Sequence, residues 1–316
     1  MKTPLLILIF NRPKETRQLL IYLQKIKPKK LYVFSDGPRN NNLSDIINNN
    51  NCKSLFKKLK WKCSIKKKYL KNNLGCKNAV SKGISWFFKN EKYGIILEDD
   101  CMPTLGFFNF CEWGLKKFKD NKNIGSITGN NFLKSKVRIK SSYYFSKYAH
   151  CWGWATWSDR WKIYDKNISF WKKWKHSKNF EKMFNLRLEY QYWKKIFDNV
   201  FIDKIDSWAY PWNLCLWYNN KVTLTPKCNL VKNIGYGGSA THTFVNSDNL
   251  KYQTSNLVYP YKSPQKNNIN IKADNYVFFN HIKGLNYLWP YRFFYILNLV
   301  LNNPRFVIFK IKKYIG

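Results

Sequence analysis

The sequence predicts an α/β fold: a mostly parallel central sheet with flanking helices, followed by a helical C-terminal extension. Three observations carry this. Short continuous apolar runs recur through the first 130 residues. Stretches of helical period separate them, as crossover helices between parallel strands require. Several of the runs end in a polar cluster, which is where open α/β sheets bind ligands.

Residues 4–10 read as a buried strand, because Leu5, Leu6, Ile7, Leu8 and Ile9 are continuous rather than alternating. Residues 14–26 have helical spacing, with Leu19, Leu20 and Leu23 on one side. Residues 30–34 form a second strand that ends in the turn Ser35-Asp36-Gly37-Pro38. A helix over 52–59, a strand over 63–65 and a helix opened by Asn72-Asn73-Leu74-Gly75 and running to residue 88 follow. The strand 94–97 leads into Glu98-Asp99-Asp100, then come a helix over 107–118 and a strand over 124–128. Further on, Trp152, Trp154, Trp157, Trp161, Trp171 and Trp174 crowd together, and a long helical pattern spans 179–200. Residues 1–246 are taken as the main α/β domain, 247–282 as a polar linker or surface excursion, and 283–316 as a basic amphipathic tail. The tail has no acid and mixes Lys and Arg with Trp289, Phe293, Phe294 and Phe306, a pattern suited to the surface of an anionic membrane.

With 316 residues, 45% hydrophobic and 18% aromatic, the chain can bury a sizeable core, which excludes a disordered protein. Its net charge of +38 attracts polyanions. Much of that charge follows a general surplus of Lys and Asn, and Lys rather than Arg dominates, which speaks against dedicated phosphate forks. Eight cysteines without a C-x-x-C pair argue against a zinc site and for reduced, mostly buried thiols, hence a cytoplasmic location. The first apolar run is too short for a secretory leader, and no uninterrupted run has the length of a membrane span.

The sharpest chemical signal is Glu98-Asp99-Asp100. Three successive carboxylates repel one another, and a divalent cation such as Mn²⁺ or Mg²⁺ would neutralise them; a solvated acidic turn is the plainer alternative. Asp36 suits a nucleobase or ribose contact, or simply its own turn. Asn11 and Arg12 follow the first strand, where Arg12 can pair with a base or diphosphate or stand solvated in the loop. The segment holding Asn73, Gly75 and Lys77 reads as a phosphate-facing helix start or an ordinary cap. Asp206, in Asp206-Ser207-Trp208, suits a general base or a helix cap, with Asp159, Asp165 and Asp203 as substitutes. His242 follows a Gly-rich stretch and can complete a metal shell or be an ordinary surface His. Gly153 permits close backbone approach to a ligand, and the neighbouring Trp154 offers a ring to a sugar or to a core.

These motifs together resemble bacterial glycosyltransferases of the nucleotide-diphospho-sugar transferase superfamily, related to the Golgi N-acetylglucosaminyltransferases with a Glu-Asp-Asp motif. The resemblance runs through Asn11-Arg12-Pro13 and Ser35-Asp36-Gly37. It is strongest between Asn72 and Pro103, continues through Trp152-Gly153-Trp154 and Asp206-Ser207-Trp208, and ends near Thr241-His242-Thr243. It implies a GT-A fold and inverting transfer from a nucleotide sugar, a UDP-sugar in the first instance, to a glycan or lipid-linked acceptor. It further implies that Asp100 binds the metal, to which the reading of the residues adds His242. It also implies Glu98 near the donor sugar, Asp99 near the ribose, Asp36 with Arg12 near the uracil, and Asp206 as base; the residues themselves add Asn11, Asn73, Gly75, Lys77, Gly153 and Trp154 as donor-facing candidates. The base motif of those relatives carries two acids before Trp; here Ser207 replaces the second.

Two other functions compete. A nucleotidyltransferase would need a Gly-rich basic loop after the first strand, where this chain has Phe10-Asn11-Arg12-Pro13. A nucleic-acid-binding protein would suit the charge and aromatics, but no binding motif is present and the basic residues are spread along the chain, so no specific nucleic-acid partner is expected.

Overall fold

The computed structural model describes residues 1–134, 136–235 and 253–287, together with 289, 290, 292–294 and 297. Its centre is an eight-stranded, mostly parallel sheet in the order β3-β2-β1-β4-β8-β6-β9-β7, with helices on both faces. The first half repeats one unit: β1 (Leu5–Ile9), α1 (Pro13–Ile26), β2 (Lys30–Ser35), α2 (Leu43–Ser54), β3 (Ser64–Tyr69), α3 (Gly75–Asn90) and β4 (Tyr93–Glu98). All pairings among these strands are parallel. The continuous apolar runs are explained by burial on both sides. Leu5, Ile7 and Ile9 pack with Leu19, Leu23, Cys52 and Phe56 on one face, while Leu6 and Leu8 pack with Ala79, Ile84 and Phe87 on the other.

Register positions the chemistry. Ile9 lies opposite Ser35, and Leu8 opposite Glu98. The residues after β1, β2 and β4 therefore emerge side by side at one end of the sheet. After β4 come β5 (Cys101–Pro103), α4 (Leu105–Lys117), β6 (Ile124–Thr128), β7 (Tyr143–Ser146) and β8 (Trp154–Trp157). β8 inserts antiparallel between β4 and β6, and its Trp154-Ala155-Thr156-Trp157 run is buried on both faces. Thr104 caps α4 by accepting the Phe107 N–H, as its sequence position suits.

After the short helix α5 (Ser158–Trp161), whose Trp161 packs with Trp154 and Trp212, a second aromatic core is built from α6 (Trp171–Trp174), α7 (Lys178–Glu181), α8 (Arg187–Phe201) and α9 (Ala209–Tyr218). Trp171, Trp174, Trp193 and Trp217 are its largest members. β9 (Val222–Pro226) and β10 (Val231–Asn233) follow, and β10 pairs antiparallel with β5. Helix α10 (Ile271–Val277) follows and continues into a π-helical turn, Phe278–Ile282.

Three expectations are corrected. The second helix spans Leu43–Ser54 rather than 52–59, because Asn42 caps it and its inner face is polar, which hid the helix from a search for apolar period. The pattern over 179–200 is two helices, since Ser177 caps α7 and α8 starts only at Arg187. The stretch 247–282 is no surface excursion at its end: Ala273, Val277 and Phe278 join the second core, and Asp274 is buried there. Among the described residues no helix is long and apolar enough to cross a membrane. All eight cysteines are free thiols.

Candidate active site

At the carboxyl ends of β1 and β4 the acid triplet meets Arg12. The Arg12 Nη1 donates to Asp99 Oδ1 at 3.3 Å and to Asp100 Oδ2 at 2.6 Å. The other Asp99 oxygen accepts the Phe10 N–H at 3.1 Å. Burial opposes the Arg12 charge, but Asp99, Asp100 and Glu98 outweigh it and hold the guanidinium protonated. One cation faces three acids. Burial, reinforced by Asp100 and Asp99, pushes the Glu98 carboxyl well up, with Arg12 and a Trp208 hydrogen bond opposing. Burial raises Asp99 as well, offset in part by Arg12. Burial and the crowding of the three acids thus disfavour the charged forms of Glu98 and Asp99, and Arg12 is the cation that opposes this. Among the described residues no three His, Cys, Asp or Glu side chains form a ready metal cage. Asp100, the expected metal ligand, gives its Oδ2 to Arg12 at 2.6 Å. His242, expected as a second ligand, lies outside the described residues.

The chain after β10 closes over Asp100. The Ile234 N–H donates to the Asp100 carbonyl at 2.8 Å. A Cβ on Gly235 would lie 2.3 Å from Asp100 Oδ2, so only glycine lets this segment press against the carboxylate.

Beside the triplet, Asp36 is 8% exposed and committed to protein donors. Its Oδ1 accepts the Gly37 and Leu74 N–H groups, and its Oδ2 accepts Asn73 Nδ2 at 2.9 Å. Burial pushes Asp36 up, with the Leu74, Gly37 and Gly75 N–H groups opposing. Its first role is to tie the start of α3 to the end of β2.

Helix α3 has no cap from its own side chains. Asp206 supplies one from across the chain, its Oδ1 accepting the Lys77 N–H at 3.0 Å. Asn73 Oδ1 accepts the Gly75 N–H. In the helix start read as phosphate-facing, the amides of Gly75 and Lys77 are therefore taken by Asn73 and Asp206, and that of Leu74 by Asp36. The Lys77 ammonium is likewise occupied, 2.6 Å from Asp203.

Two residues central to this site went unmarked in the sequence. Asp45 on α2 accepts Asn11 Nδ2 at 2.6 Å and pairs with Arg39. Burial would raise this carboxyl, but the Arg39 hydrogen bonds outweigh it and hold it low. Asn49 Nδ2 reaches the Phe10 carbonyl, Ser35 Oγ and the Asp36 carbonyl, at 2.8, 3.1 and 2.9 Å, and so locks the ends of β1 and β2 together. Asp45 is one of only 18 acids and sits three residues after a helix-capping Asn, which was a usable signal; Asn49 was lost in an Asn run.

Gly153 and Trp154 do not open toward a ligand. Gly153 has φ of +74°, and a Cβ there would meet Val231, Leu97 and Phe107. Trp154 is 2% exposed and enclosed by Trp161, Trp208 and Trp212. Both serve the core that backs the site.

The fold and site define an α/β protein whose acid triplet, Arg12 and capped α3 converge at the carboxyl ends of parallel strands. No family model matches the chain, and no curated protein matches it.

Proposed function

We propose that the chain is a metal-dependent, inverting glycosyltransferase of the GT-A type. It would move a sugar from a nucleotide diphosphate donor, a UDP-sugar in the first instance, to a hydroxyl of a glycan or lipid-linked acceptor. The observation that carries this reading is the acid triplet bridged by Arg12 at the ends of β1 and β4, beside Asp36 and the start of α3.

In this reading Asp100 is the metal ligand, with Glu98 and Asp99 toward the donor sugar and ribose. A divalent cation, if held there by Asp100, would supply positive charge opposite the diphosphate. Asn73, positioned by Asp36, and the loop of Asn11 and Arg12 frame the nucleotide. Asp206 Oδ1 is used as a cap, and Oδ2 is left to take a proton. The acceptor O–H gives that proton to Asp206 while its oxygen attacks the anomeric carbon and the bond to the diphosphate oxygen breaks. A single displacement inverts that carbon. The exposed Trp289, Phe293 and Phe294 support a peripheral contact of the C-terminal segment with the inner face of the cytoplasmic membrane; residues 298–316 lie outside the described part.

The test is a donor screen that measures nucleoside diphosphate release from a panel of nucleotide sugars with Mn²⁺ or Mg²⁺. Release that needs both a sugar nucleotide and the metal is the expected result. No release from any donor, alongside salt-sensitive oligonucleotide binding, would overturn it.

A further inference from the structure

Helix α2 is amphipathic in the inverted sense. Its buried residues are Asp45, Asn49 and Cys52, because its inner face organises the candidate site. Its outer face carries Leu43, Ile46 and Ile47, which are 70%, 39% and 51% exposed. Their i, i+3, i+4 spacing places them on one ridge of the helix. A surface helix normally turns such a ridge inward.

The chain that follows this ridge is the most basic part of the molecule. Between Asp45 and Glu91 there are twelve lysines, no arginine and no acid. Lys77 alone among them pairs with an acid in the described residues. Lys57, Lys58, Lys60 and Lys62, just past α2, are exposed, as are Lys66 and Lys67 on β3. β3 is an edge strand of the main sheet, so these lysines border open solvent. Lys53, at the end of α2, lies over the Tyr69 ring at the end of β3, so helix and edge strand form one continuous flank.

We infer that this flank, the Leu43-Ile46-Ile47 ridge with the lysines of residues 57–67, rests on an anionic lipid surface. Aliphatic side chains enter the interface, and lysines beside them are drawn to the negative headgroup potential. Lysine without arginine suits a smeared surface charge better than discrete phosphates read by forked hydrogen bonds. A nucleic acid would find no exposed aromatic on the α2 ridge to stack on. The surface is distinct from the C-terminal segment, and the inference stands whatever reaction the site performs.

The experiment is vesicle co-sedimentation of the full chain at low and high salt, with phosphatidylglycerol–phosphatidylcholine vesicles against phosphatidylcholine alone. The parent should partition onto the anionic vesicles only. K57Q/K58Q/K60Q/K62Q should weaken this by about 1,000-fold, and L43S/I47S by about 100-fold. A charge-matched control on another face, K172Q/K173Q/K178Q/K182Q, should keep it. All three variants alter exposed side chains, and an unchanged circular dichroism spectrum and melting temperature certify the fold. The inference is overturned if the parent ignores anionic vesicles, if the control loses as much as the first variant, or if the α2 and lysine variants bind like the parent. The last result would assign attachment to the C-terminal segment.

Discussion

One nitrogen of Arg12 serves two carboxylates: Nη1 lies 3.3 Å from Asp99 Oδ1 and 2.6 Å from Asp100 Oδ2. No other ion pair to the triplet occurs among the described residues. Arg12→Met should therefore leave buried carboxylates uncompensated, a loss of about 3–5 kcal/mol by analogy with other broken buried pairs. The sign with pH follows from the raised acids. Groups whose folded pKa lies above the unfolded value favour folding at low pH, and that benefit is lost as pH rises through the folded value. Glu98 and Asp99 are already raised, and losing Arg12 raises them further. Urea denaturation should show a larger deficit near pH 8 than near pH 5. Equal stability of parent and variant at both would remove Arg12 from this role.

Asp100→Ala should abolish metal-dependent donor binding while the fold survives. Arg12 retains Asp99 as partner, and the smaller side chain crowds nothing near Gly235. Calorimetry of a UDP-sugar with and without Mn²⁺ reads the effect. Unchanged metal-dependent affinity would end the ligand assignment. Gly235→Ala gives a second handle, since its Cβ must displace the Asp100 carboxylate, and the same titration should weaken.

The parallel half of the fold was legible because strands buried on both faces read as unbroken apolar runs, and Glu98-Asp99-Asp100 stood out after Ile95-Ile96-Leu97. What escaped depends on distant partners. β8 is four residues long and antiparallel, and nothing local says that it divides β4 from β6. The roles of Gly75 and Lys77 changed because the α3 cap is Asp206, 129 residues away. Asp274 and α10 hid in an Asn-rich stretch that composition alone assigns to the surface.

Asp274 sets a pH dependence away from the candidate site. It is buried, accepts Ser146 Oγ at 2.6 Å and the Lys147 N–H at 3.0 Å, and borders the buried Lys147–Glu189 pair. Burial pushes its pKa up to about 7, with those two hydrogen bonds opposing. A raised acid favours folding below the unfolded value near 3.8, and that benefit is lost as pH rises to about 7. The cost at neutral pH is on the order of 4 kcal/mol. Asp274→Asn should keep both contacts, its Oδ1 accepting from Lys147 and its Nδ2 donating to Ser146. Its melting temperature should fall less than the parent's between about pH 5 and pH 8. Parallel pH profiles for the two proteins would contradict this.

Asp206 has two roles to separate, cap and base. Its Oδ1 holds the Lys77 N–H at the start of α3, and Asp36 is close enough to feel its charge. Asparagine keeps the acceptor oxygen but cannot take a proton, whereas alanine removes both functions. Asp206→Asn should therefore fold with nearly parental stability and bind donor normally, yet lose about 10²–10⁴-fold in turnover. Asp206→Ala should lose the same turnover and a further ~1 kcal/mol of stability from the missing cap. Nucleoside diphosphate release under saturating donor, beside thermal melts of both variants, distinguishes the roles. Near-parental turnover in the asparagine variant, with a destabilised alanine variant, would leave Asp206 as a cap alone. Asp203 would then be the next carboxylate to replace, because it meets the Lys77 ammonium at the same helix start.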